Sequence, residues 1–398
     1  MKIGVIVDND FNSDARVIKE AKLLVDIGHE VHVLCYGYKG KTYPDIEGIN
    51  IHRCWVSMFW KKKSFFFYHL IPAFKQFWIR HISNFINEIK PEMIHGHDLY
   101  MSKVCHKGIK KSALRGKVKM VLDLHENFPV AVKSYNWTRG TLRRLLAQPE
   151  KWEKLEEEYL SYADKIITLS DDFKKVISGK FSFLKKENIY IIPNVPDIHE
   201  FNTEDKNMEP LPWTNPKAKV FFYFGIIAER RGIFSAIEAF ENLIQQGENL
   251  NMLLIGPVDK ADKSLFNAKT KHHIQSGRLI YIPWIQLAEL TNYMKLGDIG
   301  LAPFVKNDQH DSGIANKIFQ YMYGSLPIIA SNCKPQQDLI EKEQIGAIFS
   351  NQAELTELMK LYAKSTNLDE IGSKAKEVLL EKYNMTHYRD TMNNIFSN

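Results

Sequence analysis

The chain has 398 residues, of which 44% are hydrophobic and 25% are charged, and its formal net charge is +6. This composition is typical of a soluble globular protein, and the length exceeds what one ordinary core buries, which favours two domains. The small net charge does not indicate a nucleic-acid partner, the four cysteines lack the spacing of a metal or redox motif, and no uncharged apolar run is long enough to span a membrane. Because Met1 and Lys2 lead directly into an apolar strand instead of a signal peptide, we expect a cytoplasmic protein.

The first half opens with a strand–helix–strand pattern. Ile3–Val7 is predicted as a buried strand, Ala15–Asp26 as an amphipathic helix and Val31–Cys35 as the next strand. Asp8-Asn9-Asp10 has the spacing of a DxD metal motif, and it is also interpretable as the polar loop at the end of the strand, which is the interpretation that the family resemblance given below favours. The pattern predicts a Rossmann-like domain.

The stretch from Arg53 to Arg80 is rich in aromatic and basic residues, and no acidic residue lies between Glu47 and Glu88. It predicts either a core helix with a solvated basic edge or a surface that lies on anionic lipid; a nucleic-acid surface is the weaker third interpretation. Its aromatic residues are Trp55, Phe59, Trp60, Phe65, Phe66, Phe67, Tyr68, Phe74, Phe77 and Trp78.

Titratable side chains follow two predicted strands. Met93–His97 leads into Asp98, and Val118–Leu122 leads into Asp123-Leu124-His125-Glu126. Carboxyl ends of parallel strands form the ligand-binding edge of an open sheet, so these groups are candidate site residues.

The first half then continues with helix and strand. Trp137–Asp164 is predicted to be helical with a break at Pro149, and Lys165–Ser170 to be a strand followed by a helix that Asp171 and Asp172 cap. Ile189–Pro193 ends the first half, and the polar stretch to Pro216 is predicted as a linker.

The second half repeats the alternation. Strands are predicted at Val220–Phe224, Met252–Gly256, Ile299–Phe304 and Leu326–Ala330, and helices at Leu287–Lys295, Ile314–Met322 and Tyr383–Phe396. Gly324 is the predicted C′ residue of the Ile314–Met322 helix. That helix begins just after a small-residue step, so its free N–H groups form a natural anion site.

The string Asn316–Met322 followed by Gly324–Ser331 resembles the donor-binding segment of glycosyltransferase family 4, retaining GT-B enzymes that use nucleotide sugars. Three more strings resemble the same family: Asp14-x-Arg16-Val17, His95-x-His97-Asp98 with Asp123-x-His125-Glu126, and the hinge signature Pro193–Asp197.

The resemblance implies an α/β protein of GT-B fold, with two Rossmann-like, doubly wound parallel-sheet domains facing a cleft. The implied division is an acceptor domain at 1–195, a linker at 196–217, a nucleotide-sugar domain at 218–380 and a C-terminal helix at 381–398 that crosses back to the first domain. It implies catalytic roles for His125, Arg231 and Lys317. The donor-binding residues it implies are Gly225, Arg230, Arg231, Gly256, Pro283, Ser312, Gly313, Ile314, Lys317 and Gln320. Those on the acceptor side are Asp14, Arg16, His97, Asp98, His125 and Glu126.

Three positions depart from the family pattern. Ser312 and Gln320 stand where the family has paired glutamates, and Ile226 stands where it has the earlier of two basic residues. A glutamine keeps one acceptor oxygen for a ribose hydroxyl but loses the charge-assisted strength of a carboxylate. These departures favour, as an alternative to a full enzyme, a catalytically weak GT-B binding or scaffold subunit. A second enzyme alternative is a nucleotide-sugar epimerase on the same fold.

The function that the resemblance implies is transfer of a hexose-type sugar, with retention, from a nucleotide-diphosphate sugar to a hydroxyl acceptor. We expect no metal and no other cofactor, because basic side chains and helix N–H groups can stabilise the departing diphosphate. The Arg53–Arg80 stretch favours a lipid-linked acceptor, a precursor of a cell-surface polysaccharide or glycolipid. It also favours peripheral attachment to the anionic inner face of the plasma membrane.

Overall fold

The computed structural model describes residues 1–135, 137–138, 140–198 and 208–397, and it divides into two compact units. The first unit is Met1–Pro193 with Met385–Asn398, and the second unit is Asn194–Asn384. Residues 199–207 of the predicted linker lie outside the described residues. Because the first unit contains the chain before and after the second unit, the polypeptide passes between them twice.

A parallel sheet of seven strands forms the centre of the described part of the first unit, in the order β3-β2-β1-β4-β5-β6-β7. The neighbouring strands pair in parallel throughout, with Ile3 opposite Val31 on one side and Met93 on the other. The strands are β1 Lys2–Ile6, β2 Glu30–Tyr38, β3 Ile49–Val56, β4 Met93–His97, β5 Lys119–Asp123, β6 Lys165–Thr168 and β7 Ile189–Ile191. Short apolar strands of this kind are typical of a sheet that helices cover on both faces.

Helices connect these strands, and α1, α3, α4 and α7 each bury several apolar side chains. Helix α3 carries Phe74, Trp78, Ile82 and Ile86 at helical spacing, and each of them is buried. The helices are α1 Ala15–Asp26, α2 Met58–Phe66, α3 Ala73–Ile89, α4 Leu99–Lys111, α5 Phe128–Ser134, α6 Thr141–Ala147, α7 Lys151–Leu160 and α8 Asp171–Lys180. The break between α6 and α7 spans Pro149, as predicted.

The second unit has its own parallel sheet, in the order β10-β9-β8-β11-β12-β13 among the described residues. Its strands are β8 Lys219–Phe224, β9 Leu250–Ile255, β10 Leu279–Ile282, β11 Ile299–Ala302, β12 Ile328–Ser331 and β13 Gly346–Phe349. Its helices are α9 Ile233–Gln245, α10 Lys263–Gln275, α11 Leu290–Met294, α12 Asn316–Tyr323, α13 Lys334–Glu343, α14 Gln352–Lys364 and α15 Leu368–Lys382. Two doubly wound sheets confirm the predicted α/β class with Rossmann-like domains.

The last helix, α16 at Arg389–Phe396, is part of the first unit. Its Ile395 and Phe396 are fully buried, and the Phe396 ring centroid lies 5.2 Å from that of His95. The ammonium of Lys165, at the start of β6, donates to the carbonyl of Ile395 over 2.6 Å. Apolar burial and this hydrogen bond hold the helix against the unit where the chain began. A 3₁₀ turn at Met385–Tyr388 precedes it, so the helix predicted at Tyr383–Phe396 is shorter than expected.

Two helix ends differ from the sequence prediction. Helix α8 is capped by Ser170, whose side chain accepts a hydrogen bond from the Phe173 N–H, so the prediction that Asp171 and Asp172 form the cap was wrong; they lie in the first turn. Helix α12 begins at Asn316 and ends at Tyr323. The left-handed residue after it is Ser325, with φ of 56°, and Gly324 has an ordinary φ of −73°.

Gly324 therefore serves packing instead of a left-handed turn. A Cβ on Gly324 would lie 2.7 Å from the Met294 sulfur, so a side chain at this position would have to displace Met294.

Among the described residues, no helix is both long enough and apolar enough to cross a membrane.

Candidate functional site

Parallel pairing places two of the predicted strand ends side by side in the first unit. His97, the last residue of β4, lies opposite Asp123, the last residue of β5. The residues that follow these strands therefore meet at one edge of the sheet, and Asp98 and His125 lie there as predicted from the sequence.

Asp123 is the centre of a buried ionic network. Its two oxygens accept hydrogen bonds from the Arg16 guanidinium, at 3.0 Å from Nε and 2.9 Å from Nη2. Arg16 also forms an ion pair with Glu20 at 3.0 Å and donates to the Ile192 carbonyl. Burial alone would raise the pKa of Asp123, but Arg16 and His125 hold that pKa well below its usual range. Arg16, which the sequence predicted on the acceptor side, thus holds the Asp123 carboxylate in place by two hydrogen bonds.

His125 lies between two carboxylates. Its Nε2 is 2.9 Å from an Asp123 oxygen and 2.9 Å from His97 Nδ1, and its Nδ1 is 3.9 Å from an Asp98 oxygen. Burial lowers the pKa of His125, but the charges of Asp123 and Asp98 outweigh burial and raise the pKa to about 10. The imidazole is therefore a cation at neutral pH, while burial lowers the pKa of His97 and keeps that ring neutral. A protonated His125 is a hydrogen-bond donor and not a general base.

Asp98 and Asp8 share one hydroxyl donor. The Tyr100 O–H lies 2.9 Å from an Asp8 oxygen and 3.0 Å from an Asp98 oxygen. Burial raises the pKa of Asp98 to about 7, with the His125 charge opposing that rise. Asp98 also adopts a left-handed backbone, with φ of 71°, which is uncommon for a residue with a side chain. Such strain is typical of functional sites.

The other two acceptor-side candidates contact local partners. Asp14 is the N-cap of α1, where its carboxylate accepts from the Val17 N–H at 3.2 Å and from the Asn9 amide at 2.7 Å. Glu126 accepts from the Tyr135 hydroxyl at 2.5 and 2.6 Å and is half-buried.

One group of described residues has the donor set of a metal site: Glu20, His95, His97 and Asp123 have ligand atoms within 4.8 Å of one another, all buried. The Arg16 guanidinium already supplies the positive charge between Glu20 and Asp123. Burial raises the pKa of Glu20 to about 8 although Arg16 lowers it. A metal ion bound there would be opposed by the charge of Arg16.

In the second unit, the candidate site is built around Lys317, in the first turn of helix α12. Its ammonium is buried and has no hydrogen-bond acceptor among the described residues. It lies 3.4 Å from the centroid of the Tyr223 ring and 5.1 Å from that of Phe304, and the Arg231 guanidinium lies 5.5 Å from the same Phe304 ring. Burial, helped by the charge of Arg231, lowers the pKa of Lys317 well below its usual range. A buried ammonium without an anion is costly, and an anionic ligand bound beside Lys317 would offset that cost.

Glycines bring the backbone close to this charge. Gly225 and Gly256 follow β8 and β9, which are neighbours in the sheet, and a Cβ on Gly225 would lie 3.5 Å from the Lys317 ammonium. Gly256 has φ of 136°, and a Cβ there would lie 2.2 Å from the Gly225 carbonyl oxygen. Only glycine fits such a backbone. The structure thus brings Gly225, Arg231 and Lys317 together.

The remaining donor-side candidates lie on the segments that lead to and from this point. Ser312 is buried and donates to the Gln309 carbonyl at 2.6 Å; the Gln320 side chain is half-buried, without a hydrogen bond to a described residue. Gly313, Ile314 and Arg230 are half-buried, and Pro283 is exposed beside Trp284, which is 70% exposed.

The Arg53–Arg80 stretch divides between core and surface. Tyr68, Phe74 and Trp78 are buried, whereas Phe59 is 72% and Trp55 56% exposed. Arg53 is not a surface charge, because its guanidinium donates to the carbonyls of Asp10 and Tyr36 and lies 4.0 Å from the centroid of the Tyr43 ring. The predicted basic surface therefore begins after Arg53.

Six residues of these sites were not among the predicted site residues, namely Asp8, Glu20, His95, Tyr100, Tyr223 and Phe304, although His95 belongs to a string that resembles the family. His95 had a usable signal, since it alternates with His97 on one face of β4.

Two Rossmann-like units, each with charged groups at the carboxyl ends of its strands, define the GT-B class of glycosyltransferase folds. A sucrose-phosphate synthase of Thermosynechococcus elongatus has this fold with a TM-score of 0.75, at 13% identity and with 100% of this chain and 98% of that chain covered. Anabaena HepE in complex with UDP-glucose has a TM-score of 0.66 at 12% identity, with 99% and 98% covered.

Residues 15–200 match the model of Glycosyltransferase Family 4, and residues 218–363 match that of Glycosyl transferases group 1. The chain belongs to the family 4-like glycosyltransferases.

Sequence relatives are distant. An uncharacterised glycosyltransferase of Methanocaldococcus jannaschii is 24% identical over 260 residues, covering 64% of this chain. The spore coat protein SA of Bacillus subtilis is 22% identical over 237 residues, covering 55% of this chain. Each match spans 58% of the relative's own length.

Proposed function

We propose that this protein is a glycosyltransferase that binds a nucleotide-diphosphate sugar in the second unit and transfers its sugar to a hydroxyl acceptor. The observation that carries the proposal is the buried Lys317 ammonium without an anionic partner among the described residues, beside Arg231 and the close backbone of Gly225. A diphosphate supplies the missing anion, and the glycines let it approach the backbone. HepE, which shares the fold, has a crystal structure in complex with UDP-glucose, which supports a nucleotide sugar as donor.

The reaction transfers the sugar from a diphosphate oxygen to the acceptor oxygen. The bond between the anomeric carbon and the diphosphate oxygen breaks, a bond to the acceptor oxygen forms, and the hydroxyl proton leaves with the nucleoside diphosphate. Arg231 and Lys317 stabilise the charge that develops on the departing oxygen, so the proposal needs no metal ion. His125 donates a hydrogen bond to a sugar hydroxyl as a cation. Family membership supports retention of configuration.

Donor binding and turnover test this proposal. Titration of UDP-, GDP- and ADP-sugars by thermal shift should raise the melting temperature with one of them, because a ligand that binds only the folded state stabilises it. Slow release of free nucleotide from that sugar, without acceptor, should follow. Absence of binding to all three would contradict the donor site.

A second candidate is a GT-B binding or scaffold subunit. It is favoured by Gln320 and Ser312, which stand where the family has paired glutamates, and by the exposed Ile226 in place of a basic residue. Tight binding of the nucleotide sugar without any release of nucleotide, with or without acceptors, would favour this candidate. Interconversion of two nucleotide sugars would instead identify an epimerase.

We propose further that the acceptor is lipid-linked, a precursor of a cell-surface polysaccharide or glycolipid, and that the first unit attaches peripherally to an anionic membrane face. Exposed aromatic rings on Trp55 and Phe59 next to Lys61, Lys62 and Lys63 support attachment, since each lysine adds about 1 kcal/mol near anionic lipid.

Sedimentation with anionic vesicles should be sensitive to salt. It should weaken when Lys61, Lys62 and Lys63 become glutamate, whereas the control Lys110→Glu/Lys111→Glu, on exposed residues of α4, should sediment like the parent. Equal partition into neutral and anionic vesicles would contradict the electrostatic part.

A further inference from the structure

A cavity of about 640 Å³ lies in the first unit beside helix α2. Its volume is within the range of small-molecule sites, about 300–1,000 Å³. It reaches from the lysines of α2 to Asp8 and Tyr100, the residues that share a hydroxyl donor at the edge of the sheet. The cavity therefore joins the surface helix to the titratable cluster of the first unit.

One wall of this cavity is aromatic. Phe65 and Phe66 on α2 and Trp137 line it, with ring centroids 5.7 Å apart for Phe65 and Trp137 and 6.2 Å apart for Phe66 and Trp137. Phe65 also packs edge-on against Tyr100, at 4.8 Å. Mutual edge-on packing fixes these rings, so they present a preformed apolar wall.

The lining on α2 is cationic. Lys61, Lys62 and Lys63 all line the cavity, and no described carboxylate forms an ion pair with them. Lys61 lies 5.6 Å from the centroid of the Tyr36 ring and Lys63 lies 5.8 Å from that of Phe59, so each of these two ammonium groups lies near an aromatic ring. Asp8 contributes a carboxylate to the lining, and that carboxylate accepts from Tyr100.

Exposed apolar side chains lie on the first turn of α2 and at the end of the preceding strand β3. Phe59 is 72% exposed one helical turn before Lys63, and Met58 and Trp55 are 39% and 56% exposed. A ligand with a chain extending from the lysines would cover these side chains, which otherwise stay in water.

We propose that this cavity is an acceptor subsite for a sugar whose phosphate carries a long apolar chain. In this arrangement, the sugar lies against the aromatic wall with a hydroxyl directed to Asp8, the phosphate contacts the lysines of α2, and the chain follows the exposed side chains toward Phe59. The role of this ligand as an acceptor rests on the proposed glycosyl transfer, whereas its binding in the cavity does not. Asp8, the lysines of α2 and the exposed apolar side chains follow one another in the same order as the sugar, the phosphate and the apolar chain of such a molecule.

Calorimetric titration of the full chain, without nucleotide, separates the parts of this ligand. Farnesyl phosphate carries the chain and the anion, farnesol only the chain, and glucose 1-phosphate the sugar and the anion; each is used below its aggregation limit. We expect farnesyl phosphate to bind at least about tenfold more tightly than farnesol, because a charge-assisted contact is lost with the phosphate. Glucose 1-phosphate should bind more weakly than farnesyl phosphate.

Two matched lysine pairs test the location. Lys62→Gln/Lys63→Gln removes two exposed charges at the cavity and should weaken farnesyl phosphate binding about tenfold, while Lys110→Gln/Lys111→Gln removes two exposed charges from α4 and should leave it unchanged. Trp137→Ala, checked for an unchanged circular dichroism spectrum, should weaken farnesyl phosphate and glucose 1-phosphate alike.

Three results would overturn the inference. The first is that farnesyl phosphate does not bind, and the second is that the two lysine-pair variants weaken its binding equally. The third is that glucose 1-phosphate binds as tightly as farnesyl phosphate, which would indicate a soluble sugar phosphate as the ligand. Dihexanoyl phosphatidylglycerol binding as tightly as farnesyl phosphate would assign the cavity to membrane headgroups and also overturn it. Release of nucleotide from a nucleotide sugar is measured separately, so failure of the glycosyltransferase proposal would be seen there and not in these titrations.

Discussion

Replacing Lys317 with methionine tests whether its burial is a cost that only a bound anion offsets. Methionine keeps a similar apolar shape, and the lysine ammonium lies over the Tyr223 ring without a hydrogen-bond acceptor among the described residues. We expect Lys317→Met to make the ligand-free protein more stable and to weaken the binding of nucleoside diphosphate. A variant that is more stable but binds nucleoside diphosphate more weakly identifies Lys317 as a ligand contact, because a residue that only packs would not change stability and affinity in opposite directions.

Both magnitudes follow from the contacts. A buried polar group without a partner costs about 1–3 kcal/mol, and more when charged, so stability should rise by at least that order. For a domain of this size each kcal/mol corresponds to about 2–4 °C, which makes the shift about 2–12 °C. Loss of one charge-assisted contact to the diphosphate, about 1.5–3 kcal/mol, weakens binding about 10- to 150-fold.

The stability difference should also depend on pH. Because burial lowers the pKa of Lys317, the unfolded chain binds more protons than the folded one between that lowered pKa and the ordinary value of 10.5. The parent protein therefore gains stability as pH rises through this window, and its deficit relative to Lys317→Met shrinks toward pH 10.5. Differential scanning fluorimetry with and without UDP, and Lys271→Met on the exposed side of α10 as control, provides the measurement. A lower melting temperature for ligand-free Lys317→Met, or unchanged affinity for all nucleoside diphosphates, would refute this reasoning.

Three further substitutions extend the test. Arg231→Ala should weaken the binding of donor and of free nucleotide alike, by about 1.5–3 kcal/mol. If the variant and the parent protein bind nucleotide with equal affinity in a titration, Arg231 does not belong to the site. Gln320→Glu should tighten nucleotide binding or leave activity intact, whereas Gln320→Leu should weaken binding because a ribose hydroxyl is left unpaired; if both bind like the parent, α12 does not present this face to the donor. His125→Gln should lower the melting temperature most below pH 6.5, where the stabilisation from the raised pKa of His125 is fully present, and less as pH rises through about 10. A deficit that is constant with pH would show that His125 acts there by packing and not by charge.

The overall fold could be predicted because its signals are local. Apolar runs such as Ile3–Val7 and Ile299–Phe304 alternate with amphipathic helices, and a parallel sheet is the arrangement that buries both. The placement of His97, Asp98 and His125 at one sheet edge followed from the same rule, since the residues after parallel strands share an edge.

Pairings across long sequence distances could not be predicted in this way. The hydrogen bond between Tyr100 and Asp8 joins residues 92 positions apart, and its partner choice depends on which strands become neighbours. Burial of Lys317 over Tyr223 depends on tertiary packing, and so does the left-handed turn at Ser325 in place of Gly324. In the last case the glycine was needed for the closeness of Met294, a contact that local turn preferences do not contain.

The division of the first unit between both ends of the described chain sets an order for its biosynthesis. Helix α16 supplies Ile395 and Phe396 to the first unit's core, yet these residues are translated after the whole of the second unit. During synthesis the second unit can complete its sheet while the first still exposes the apolar surface and His95 ring that Phe396 later covers. A released chain that ends before Arg389 is therefore expected to hold a complete second unit and a first unit whose apolar surface is exposed.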